Sequence, residues 1–255
     1  MGKKIIITAG GTSEPIDSVR MITNMATGKL GVTICLELLK SKKSEIDKIY
    51  YLCSSNAMMP PRDECIEVIV ITGTYDLKNK IEYLLKNNKI DFFIHSMAVS
   101  DYTTDYVSTT RMLAINIAEN IDNTLNKEEL INHIEVLIKN NGNLVKTNSK
   151  ISSYEDNLII KLKQTPKIIS LIKKISPKTY LVGFKLLNNV TEERLCDIAY
   201  ELLKKNKCSL VVANDLTKIV YDKHEAILID ENVEKIYAKT KEDIANKLIN
   251  KIWEV

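Results

Sequence analysis

The sequence lacks long hydrophobic runs, and no apolar stretch approaches the ~20 residues that a membrane-spanning helix needs. It also lacks a strong charge of either sign, because 36 Lys and Arg residues against 33 Asp and Glu residues leave a net charge of +3. That balance is too mild to predict a nucleic-acid-binding surface. A short apolar run followed at once by Gly10-Gly11 argues against a secretory signal. These absences predict a cytoplasmic protein without a membrane or nucleic-acid partner.

The five cysteines are scattered and show no C-x-x-C spacing: Cys35, Cys53, Cys65, Cys196 and Cys208. A disulfide framework or a zinc site is therefore not expected. Cys35 falls in an apolar helical pattern and is predicted to be buried. None of the five has a plausible base beside it in the sequence, so none is a candidate nucleophile.

Short apolar runs alternate with longer helical patterns along the 255 residues. The predicted strands cover residues 4–8, 49–53, 67–71, 91–95, 180–184 and 209–213, and the predicted helices cover 27–40, 75–87 and 192–205. This alternation predicts an α/β fold with a Rossmann-like, doubly wound, mostly parallel sheet and helices on both faces.

Two regions depart from that alternation. Residues 105–149 are rich in Asn, Thr and Lys, with a helical pattern at 127–139, and are predicted to form an insertion or flap within a single domain spanning 1–255. Runs at 218–221, 226–230 and 235–237 predict a small antiparallel C-terminal extension. Thr240 is a suitable N-cap for a closing helix that reaches Trp253.

The first predicted strand runs into Gly10-Gly11, a turn that lets backbone amides approach a ligand. The dinucleotide fingerprint G-x-G-x-x-G is absent, since the two glycines are adjacent and Pro15 prevents an immediate helix. A plain β-turn is the alternative interpretation.

A second candidate phosphate site is Ala26-Thr27-Gly28, where a helix is predicted to begin and its free amides suit an anion. It is not a Walker A motif, because Leu30 follows Gly28-Lys29 and Thr23 stands in place of the first glycine. The alternative is that Thr27 is only an N-cap and that the glycines permit close packing.

Several segments together resemble phosphopantothenate–cysteine ligases. They are residues 8–20, 22–24 and 27–31; Ser96-Met97-Ala98-Val99-Ser100-Asp101-Tyr102, similar to the family's A-A-V-[AS]-D-[YFW]; Lys150-Ile151-Ser152-Ser153, similar to the start of its lysine flap; 163–169, similar to its K-x-P-x-I-[IL] turn; and 181–184 and 211–215, similar to its last two strand ends. The resemblance covers nearly the whole chain and is closest to the free-standing bacterial form. The flap is longer than in many relatives, and Ala26-Thr27 replaces a common serine pair.

The resemblance implies a ligase of coenzyme A biosynthesis that joins 4'-phosphopantothenate to L-cysteine. In this family the carboxylate attacks the α-phosphorus of a nucleoside triphosphate, Mg²⁺ bridges the phosphates, and pyrophosphate leaves. The cysteine amine then displaces the nucleoside monophosphate. Bacterial members generally use CTP and eukaryotic members favour ATP, so CTP is expected here. A homodimer with the site near the subunit contact is also implied.

The resemblance assigns three catalytic residues. Asn24 handles the activated acyl group, Arg20 lies near the same site, and Lys150 closes on the triphosphate. Each has an alternative interpretation: Asn24 as a polar cap between a loop and a helix, Arg20 as a solvated helix arginine, and Lys150 as a lysine unrelated to the site.

The remaining residues that the resemblance places at the nucleotide are Gly10, Gly11, Thr27, Gly28, Ser96, Met97, Ala98, Asp101, Pro166, Lys167, Ile168, Ile169, Phe184, Lys204 and Lys205. Asp101 is expected at the end of the fourth strand, near the sugar, and Pro166–Ile169 at the start of a helix. Phe184 is expected against the base, with core packing as its alternative. His95 is predicted to be structural. No protein ligand is assigned to Mg²⁺, which the nucleotide phosphates would hold.

Two other functions compete with the ligase. An NAD(P)-dependent Rossmann-type oxidoreductase predicts an acidic residue at the end of the second strand, but that strand ends at Cys53-Ser54-Ser55. A nucleotide sensor of the same fold would bind CTP without consuming it.

Overall fold

The computed structural model describes residues 2–254. The strands are β1 (Lys3–Ala9), β2 (Ser13–Pro15), β3 (Met21–Thr23), β4 (Ile46–Ser54), β5 (Ile66–Ile71), β6 (Phe92–His95), β7 (Tyr102–Thr109), β8 (Leu158–Gln164), β9 (Tyr180–Leu187), β10 (Leu210–Val220), β11 (Lys223–Asp230) and β12 (Lys235–Ala238). The helices are α1 (Lys29–Ser41), α2 (Thr74–Asn87), α3 (Thr110–Asn120), α4 (Lys127–Lys139), α5 (Ile169–Ile175), α6 (Glu192–Asn206) and α7 (Lys241–Trp253), and a short 3-10 helix covers Lys43–Glu45.

Contacts divide the described chain into two compact units. The main unit comprises residues 2–13, 24–100 and 166–254, and the inserted unit comprises residues 14–23 and 101–165. The assignment of residues 1–255 to a single domain stays a prediction.

The main unit is built on one eight-stranded sheet with the order β12-β11-β10-β9-β6-β1-β4-β5. The strands from β10 to β5 pair in parallel, and β11 and β12 are antiparallel. Numbered along the chain, the six parallel strands follow the order 3-2-1-4-5-6 of dinucleotide-binding folds. The predicted Rossmann-like sheet and its antiparallel extension are therefore confirmed.

Both faces of this sheet are covered, which explains why β1 is a continuous apolar run. Ile5 and Ile7 join one core cluster with α1 and α7, whereas Ile6 joins the other with α2, α5 and α6. Alternate side chains of a strand point to opposite faces, so both faces of β1 need apolar residues. Cys35 lies in the first cluster and is fully buried, as predicted.

Element ends differ from the sequence predictions in two places. The run 218–221 is not a separate strand, because β10 continues to Val220. Helix α1 begins at Lys29, with Gly28 as its N-cap, not at Thr27. The predicted cap of the closing helix is confirmed, since the Thr240 hydroxyl accepts a hydrogen bond from the Asp243 amide at 3.1 Å.

The inserted unit contains more structure than the predicted flap. Helix α4 has the predicted bounds, but a second helix, α3, precedes it. In the sequence both helices lie between β7 and β8, which pair with each other in the antiparallel direction. Strands β2 and β3 form a second small sheet. Strand β7 was missed because its sequence, Tyr-Thr-Thr-Asp-Tyr-Val-Ser-Thr, carries too few apolar residues for a hydrophobic pattern.

Candidate functional site

The candidate site lies where the strand order of the main sheet reverses. From β1 the chain goes to β4 on one side, whereas β6 pairs with β1 on the other side. The carboxyl ends of β1 and β6 carry Gly10-Gly11 and Ser96–Ala98, two of the segments predicted to contact a nucleotide. Open α/β sheets bind their ligands at this kind of switch point.

Two glycine segments that are far apart in the sequence meet at this point. After Ser13 the chain enters the inserted unit, and it returns at Asn24, whose amide donates to the Thr12 carbonyl at 3.3 Å. A Cβ atom on Gly11 would lie 2.3 Å from the Asn24 carbonyl oxygen, and one on Gly28 would lie 3.2 Å from the Gly10 nitrogen. Residues 10–12 and 24–28 thus form one surface, which we call the split glycine loop.

Two glycines of the split glycine loop have left-handed backbone conformations. Gly10 has a φ of 83° and Gly28 a φ of 77°, a region that L side chains rarely adopt. Gly28 caps α1 through its backbone, and the Thr27 hydroxyl accepts from the Lys29 amide at 3.3 Å. The N-terminus of α1, with its partial positive charge, is therefore directed to this loop.

Asn24 is fixed by its side chain as well as by its backbone. Its Nδ2 donates to the Ala98 carbonyl at 3.0 Å, which links the split glycine loop to the segment after β6. The side chain is half-buried. The Oδ1 oxygen and the second Nδ2 hydrogen are not used in that bond, so a carboxamide is held with one donor and one acceptor available.

The segment after β6 is held largely by bonds to β1 and the split glycine loop. The Ser96 hydroxyl donates to the Thr8 carbonyl at 2.7 Å, and the Met97 amide donates to the Thr8 hydroxyl at 3.3 Å. The Ala98 amide donates to the Gly10 carbonyl at 2.9 Å. These bonds occupy the Met97 and Ala98 amides, so a nucleotide base could not be recognised through these two donors.

His95 belongs to the framework of this segment. Its Nδ1 lies 2.8 Å from the Thr8 hydroxyl, and its ring meets Phe93 edge to face. Burial lowers the pKa of His95 to about 4. A neutral, buried imidazole bonded to a strand hydroxyl agrees with the predicted structural role.

Three predicted site residues lie in the inserted unit. The Arg20 guanidinium donates to the Ile151 carbonyl at 2.8 Å, and its Nε lies 3.7 Å from the Asp17 carboxylate. Lys150 is exposed and directly precedes Ile151. Asp101 is not at the end of β6 but six residues beyond it, immediately before β7, where its carbonyl accepts from the Thr165 amide at 3.0 Å.

The segment Pro166–Ile169 leads into α5, as predicted. The Ser170 and Leu171 amides donate to the carbonyls of Lys167 and Ile168, so the first turn satisfies them internally. Phe184 lies within β9 and packs, partly buried, against the core cluster of α1 and α7. Core packing thus accounts for part of the Phe184 surface.

Lys204 and Lys205 are not near the split glycine loop. They occupy the last turn of α6, which leads to the amino end of β10, and the adjoining Ser209 amide donates to Leu181 near the start of β9. Gly10 lies at the opposite, carboxyl end of β1. The direction of the crossover helix explains this correction, and the proposed site does not include the two lysines.

The main unit has a large cavity away from the split glycine loop. Its volume is about 960 Å³, and it lies at the amino ends of the strands, beside Lys3, Phe92 and Tyr180. Charged side chains of both signs line it.

Two residues, one in each unit, organise the backbone around them and are not among the predicted site residues. The Thr12 hydroxyl accepts from the Ser100 amide at 2.8 Å, and Asp17 accepts from several backbone amides of the inserted unit. Asp17 lies within the segment 8–20 that resembles the ligase family, and its local signal is its place at the start of the turn Asp-Ser-Val-Arg.

Among residues 2–254, no group of three or more His, Cys, Asp and Glu side chains is arranged to hold a metal ion. In the same part of the chain, no helix is both long and apolar enough to cross a membrane.

Comparison with known proteins identifies relatives over the whole chain. The family described as the DNA/pantothenate metabolism flavoprotein C-terminal domain matches residues 1–135 and 143–255. The crystal structure of the DNA/pantothenate metabolism flavoprotein from Streptococcus pneumoniae is 37% identical, covers 100% of this chain and 99% of that chain, and has a TM-score of 0.80.

The curated relatives are longer proteins. The coenzyme A biosynthesis bifunctional protein CoaBC of Thermococcus kodakarensis is 29% identical over 98% of this chain and 51% of its own length. The chain therefore spans about half the length of the curated relatives that it matches. A Cab2 mutant in complex with phosphopantothenate-cysteine shares the fold, with a TM-score of 0.64 and 16% identity over 99% of this chain and 87% of that chain.

The family match covers nearly every residue, including both halves of the split glycine loop and the segment after β6. The Streptococcus pneumoniae structure is similar to this chain in length, sequence and fold. The chain belongs to the family of DNA/pantothenate metabolism flavoprotein C-terminal domains.

Proposed function

We propose that this protein is a ligase of coenzyme A biosynthesis that joins 4'-phosphopantothenate and L-cysteine into 4'-phosphopantothenoylcysteine. The observation that carries the proposal is the split glycine loop, which holds the Asn24 carboxamide beside the N-terminus of α1. The names of the Thermococcus kodakarensis relative and of the phosphopantothenate-cysteine complex support the same pathway and product.

The first step makes an unreactive carboxylate into an electrophile. A carboxylate oxygen of phosphopantothenate attacks the α-phosphorus of CTP, the bond to the β-phosphate oxygen breaks, and pyrophosphate leaves. An acyl-cytidylate remains. Negative charge builds up on the phosphates, so positioned backbone donors and a mobile cation would stabilise this step most.

The split glycine loop and Lys150 would supply that stabilisation. The N-terminus of α1 offers partial positive charge, and an exposed lysine offers a point charge that can move to a phosphate. Mg²⁺ would be held by the nucleotide phosphates, since the hydroxyls and backbone groups of the split glycine loop offer no carboxylate cluster.

In the second step the cysteine amine attacks the acyl carbon. The bond between that carbon and the phosphate oxygen breaks, CMP leaves, and the nitrogen loses a proton. The unused Nδ2 hydrogen of Asn24 can donate to the acyl oxygen, where charge develops, without introducing a net charge.

The choice of CTP over ATP, the homodimer and the cytoplasmic location remain parts of this proposal. Ser96–Ala98 and Asp101 would face the base and the sugar. The Ser96 and Met97 carbonyls would serve as acceptors there, because the Met97 and Ala98 amides already have partners.

An NAD(P)-dependent oxidoreductase is the second candidate because the strand order is that of dinucleotide-binding folds. Strand β4, which would supply the acidic ribose ligand, ends at Cys53 and Ser54, both buried. Because no acidic residue stands at this end of β4, the ligase is favoured over the oxidoreductase.

Pyrophosphate release separates these functions. The ligase releases pyrophosphate only when phosphopantothenate and CTP are both present, and it does so before cysteine is added. A sensor binds CTP without releasing pyrophosphate, and an oxidoreductase is indifferent to CTP. No pyrophosphate with any of CTP, ATP, GTP and UTP would contradict the proposal.

A further inference from the structure

Ile151, the residue after Lys150, is held within the inserted unit by its amide, its carbonyl and its side chain. Its amide donates to Asp17 Oδ2 at 3.1 Å, and its carbonyl accepts from the Arg20 guanidinium at 2.8 Å. Its side chain is buried, at 2% exposed. The backbone at the base of Lys150 is therefore fixed, although Lys150 itself is exposed.

Asp17 is the centre of this arrangement. Its Oδ1 accepts from the Val19 amide at 2.8 Å and from the Arg20 amide at 2.7 Å, while Oδ2 takes the Ile151 amide. The side chain is completely buried. The hydrogen bonds from the Val19, Ile151 and Arg20 amides, together with the Arg20 charge, lower the pKa of Asp17. We call Asp17, Arg20 and Ile151 the clasp.

The chain around the clasp has little other regular structure. In the part of the chain that the structure describes, residues 141–157 form neither helix nor strand. The Val145 amide donates to the Val107 carbonyl, and the Asn157 carbonyl accepts from the Thr110 amide. Between these two anchors, the clasp ties the loop to the segment 17–20.

We propose that Asp17 is a positioning residue, which fixes Ile151 through the clasp and so sets the point from which Lys150 reaches the triphosphate. This inference rests on the proposed function, because it requires Lys150 to act on a nucleotide. A lysine on an unanchored loop would lose more conformational freedom on binding, so anchoring its base favours the productive geometry.

The substitution Asp17→Asn tests the clasp. It places an amide NH₂ where Oδ2 accepts from Ile151 and removes the charge beside Arg20. Single-turnover pyrophosphate release should fall by about 10- to 100-fold, the loss that a displacement of about 1 Å can cause. Asp17→Ser is the second variant, since a serine oxygen can still accept within the turn but is too short to reach Ile151.

Asp105→Asn is the matched control. Asp105 is a carboxylate of the same unit that pairs with Lys161 and Lys163, and it takes no part in the clasp. Its substitution should leave pyrophosphate release unchanged. Hydrogen exchange of residues 146–156 should rise in both Asp17 variants and stay unchanged in the control.

A double-mutant cycle with Lys150→Gln distinguishes positioning from a general structural role. If Asp17 acts through Lys150, Asp17→Asn causes little further loss in the Lys150→Gln background. An equal loss in both backgrounds overturns the inference but leaves the ligase standing. Normal pyrophosphate release by Lys150→Gln overturns both the inference and the proposed role of the lysine, and unchanged exchange in the Asp17 variants overturns the clasp itself.

Discussion

Gly11 is the residue with the least room in the split glycine loop. A Cβ atom there would lie 2.3 Å from the Asn24 carbonyl oxygen, so Gly11→Ala must displace backbone. We expect a loss of about 1–3 kcal/mol in the free energy of unfolding and a loss of nucleotide binding. Urea denaturation and CTP binding measure the two effects.

Gly142→Ala is the control for that change. A Cβ on Gly142 would meet nothing within 4 Å. Its unfolding free energy should be unchanged or slightly higher, because alanine restricts the unfolded chain. Equal stability of the two variants would contradict the close contact between Gly11 and Asn24.

Asn24 is where the proposed chemistry depends on a single functional group. Asn24→Asp replaces the Nδ2 donor with an oxygen, which then faces the Ala98 carbonyl and cannot donate to an acyl oxygen. Activation should continue while amide formation stalls, so acyl-nucleotidylate should accumulate and be detectable by mass spectrometry.

The matched control is Asn246→Asp, an exposed position on α7 whose Oδ1 already serves as an acceptor for Asn250. That variant should form the amide product at the wild-type rate, without accumulating acyl-nucleotidylate. Full turnover by Asn24→Asp would refute the role of the carboxamide.

Among the elements, the closing helix α7 depends on its N-cap. The Thr240 hydroxyl accepts from the Asp243 amide, and the helix buries Ile244, Leu248 and Ile252 against the sheet. Thr240→Ala should lower the free energy of unfolding by about 1 kcal/mol, whereas Thr240→Ser should retain most of it. Equal loss in both variants would show that the hydroxyl bond does not stabilise the helix.

The elements also show what can be predicted from sequence. Strand β1 and helix α7 were predicted because a buried strand and a capped amphipathic helix leave strong patterns. Strand β7 was not, because it carries few apolar residues. The observed start of α1, Lys29, differs from the predicted start, Thr27, because a left-handed glycine cap leaves no pattern in the polar residues before it.

The resemblance names individual residues of the candidate site but not their arrangement in space. The resemblance supplied Gly10, Asn24 and Gly28, yet their contact across the segment 13–23 depends on how the chain leaves and returns to the sheet. Lys204 was misplaced because residue spacing does not say at which edge of a sheet a helix ends. Asp17 carries too weak a local signal, since its third partner, Ile151, is distant in sequence.

For the molecule as a whole, the buried histidines predict acid sensitivity. Burial lowers the pKa values of His95 and His224 to about 4, against 6.5 for an ordinary histidine. Between pH 6.5 and 4 the unfolded chain binds more protons, so stability falls as the pH is lowered through that window. For His95 the loss is on the order of 3 kcal/mol at most, since one pKa unit corresponds to about 1.4 kcal/mol.

Urea denaturation at pH 7, 6 and 5 measures this effect. His224→Gln should flatten the decline, since glutamine cannot take up the proton. His133→Gln is the control, because His133 lies on α4 with its ring bonded to the Asn120 carbonyl and outside the two core clusters. A decline of the same slope in wild type and His224→Gln would show that this histidine does not contribute to it.

The most direct test of the ligase is product analysis of one reaction mixture. Wild-type protein with 4'-phosphopantothenate, L-cysteine, CTP and Mg²⁺ should yield 4'-phosphopantothenoylcysteine, CMP and pyrophosphate in equal amounts by mass spectrometry. Formation of CDP and phosphate in place of CMP and pyrophosphate, or no amide product with any nucleoside triphosphate, would contradict the account.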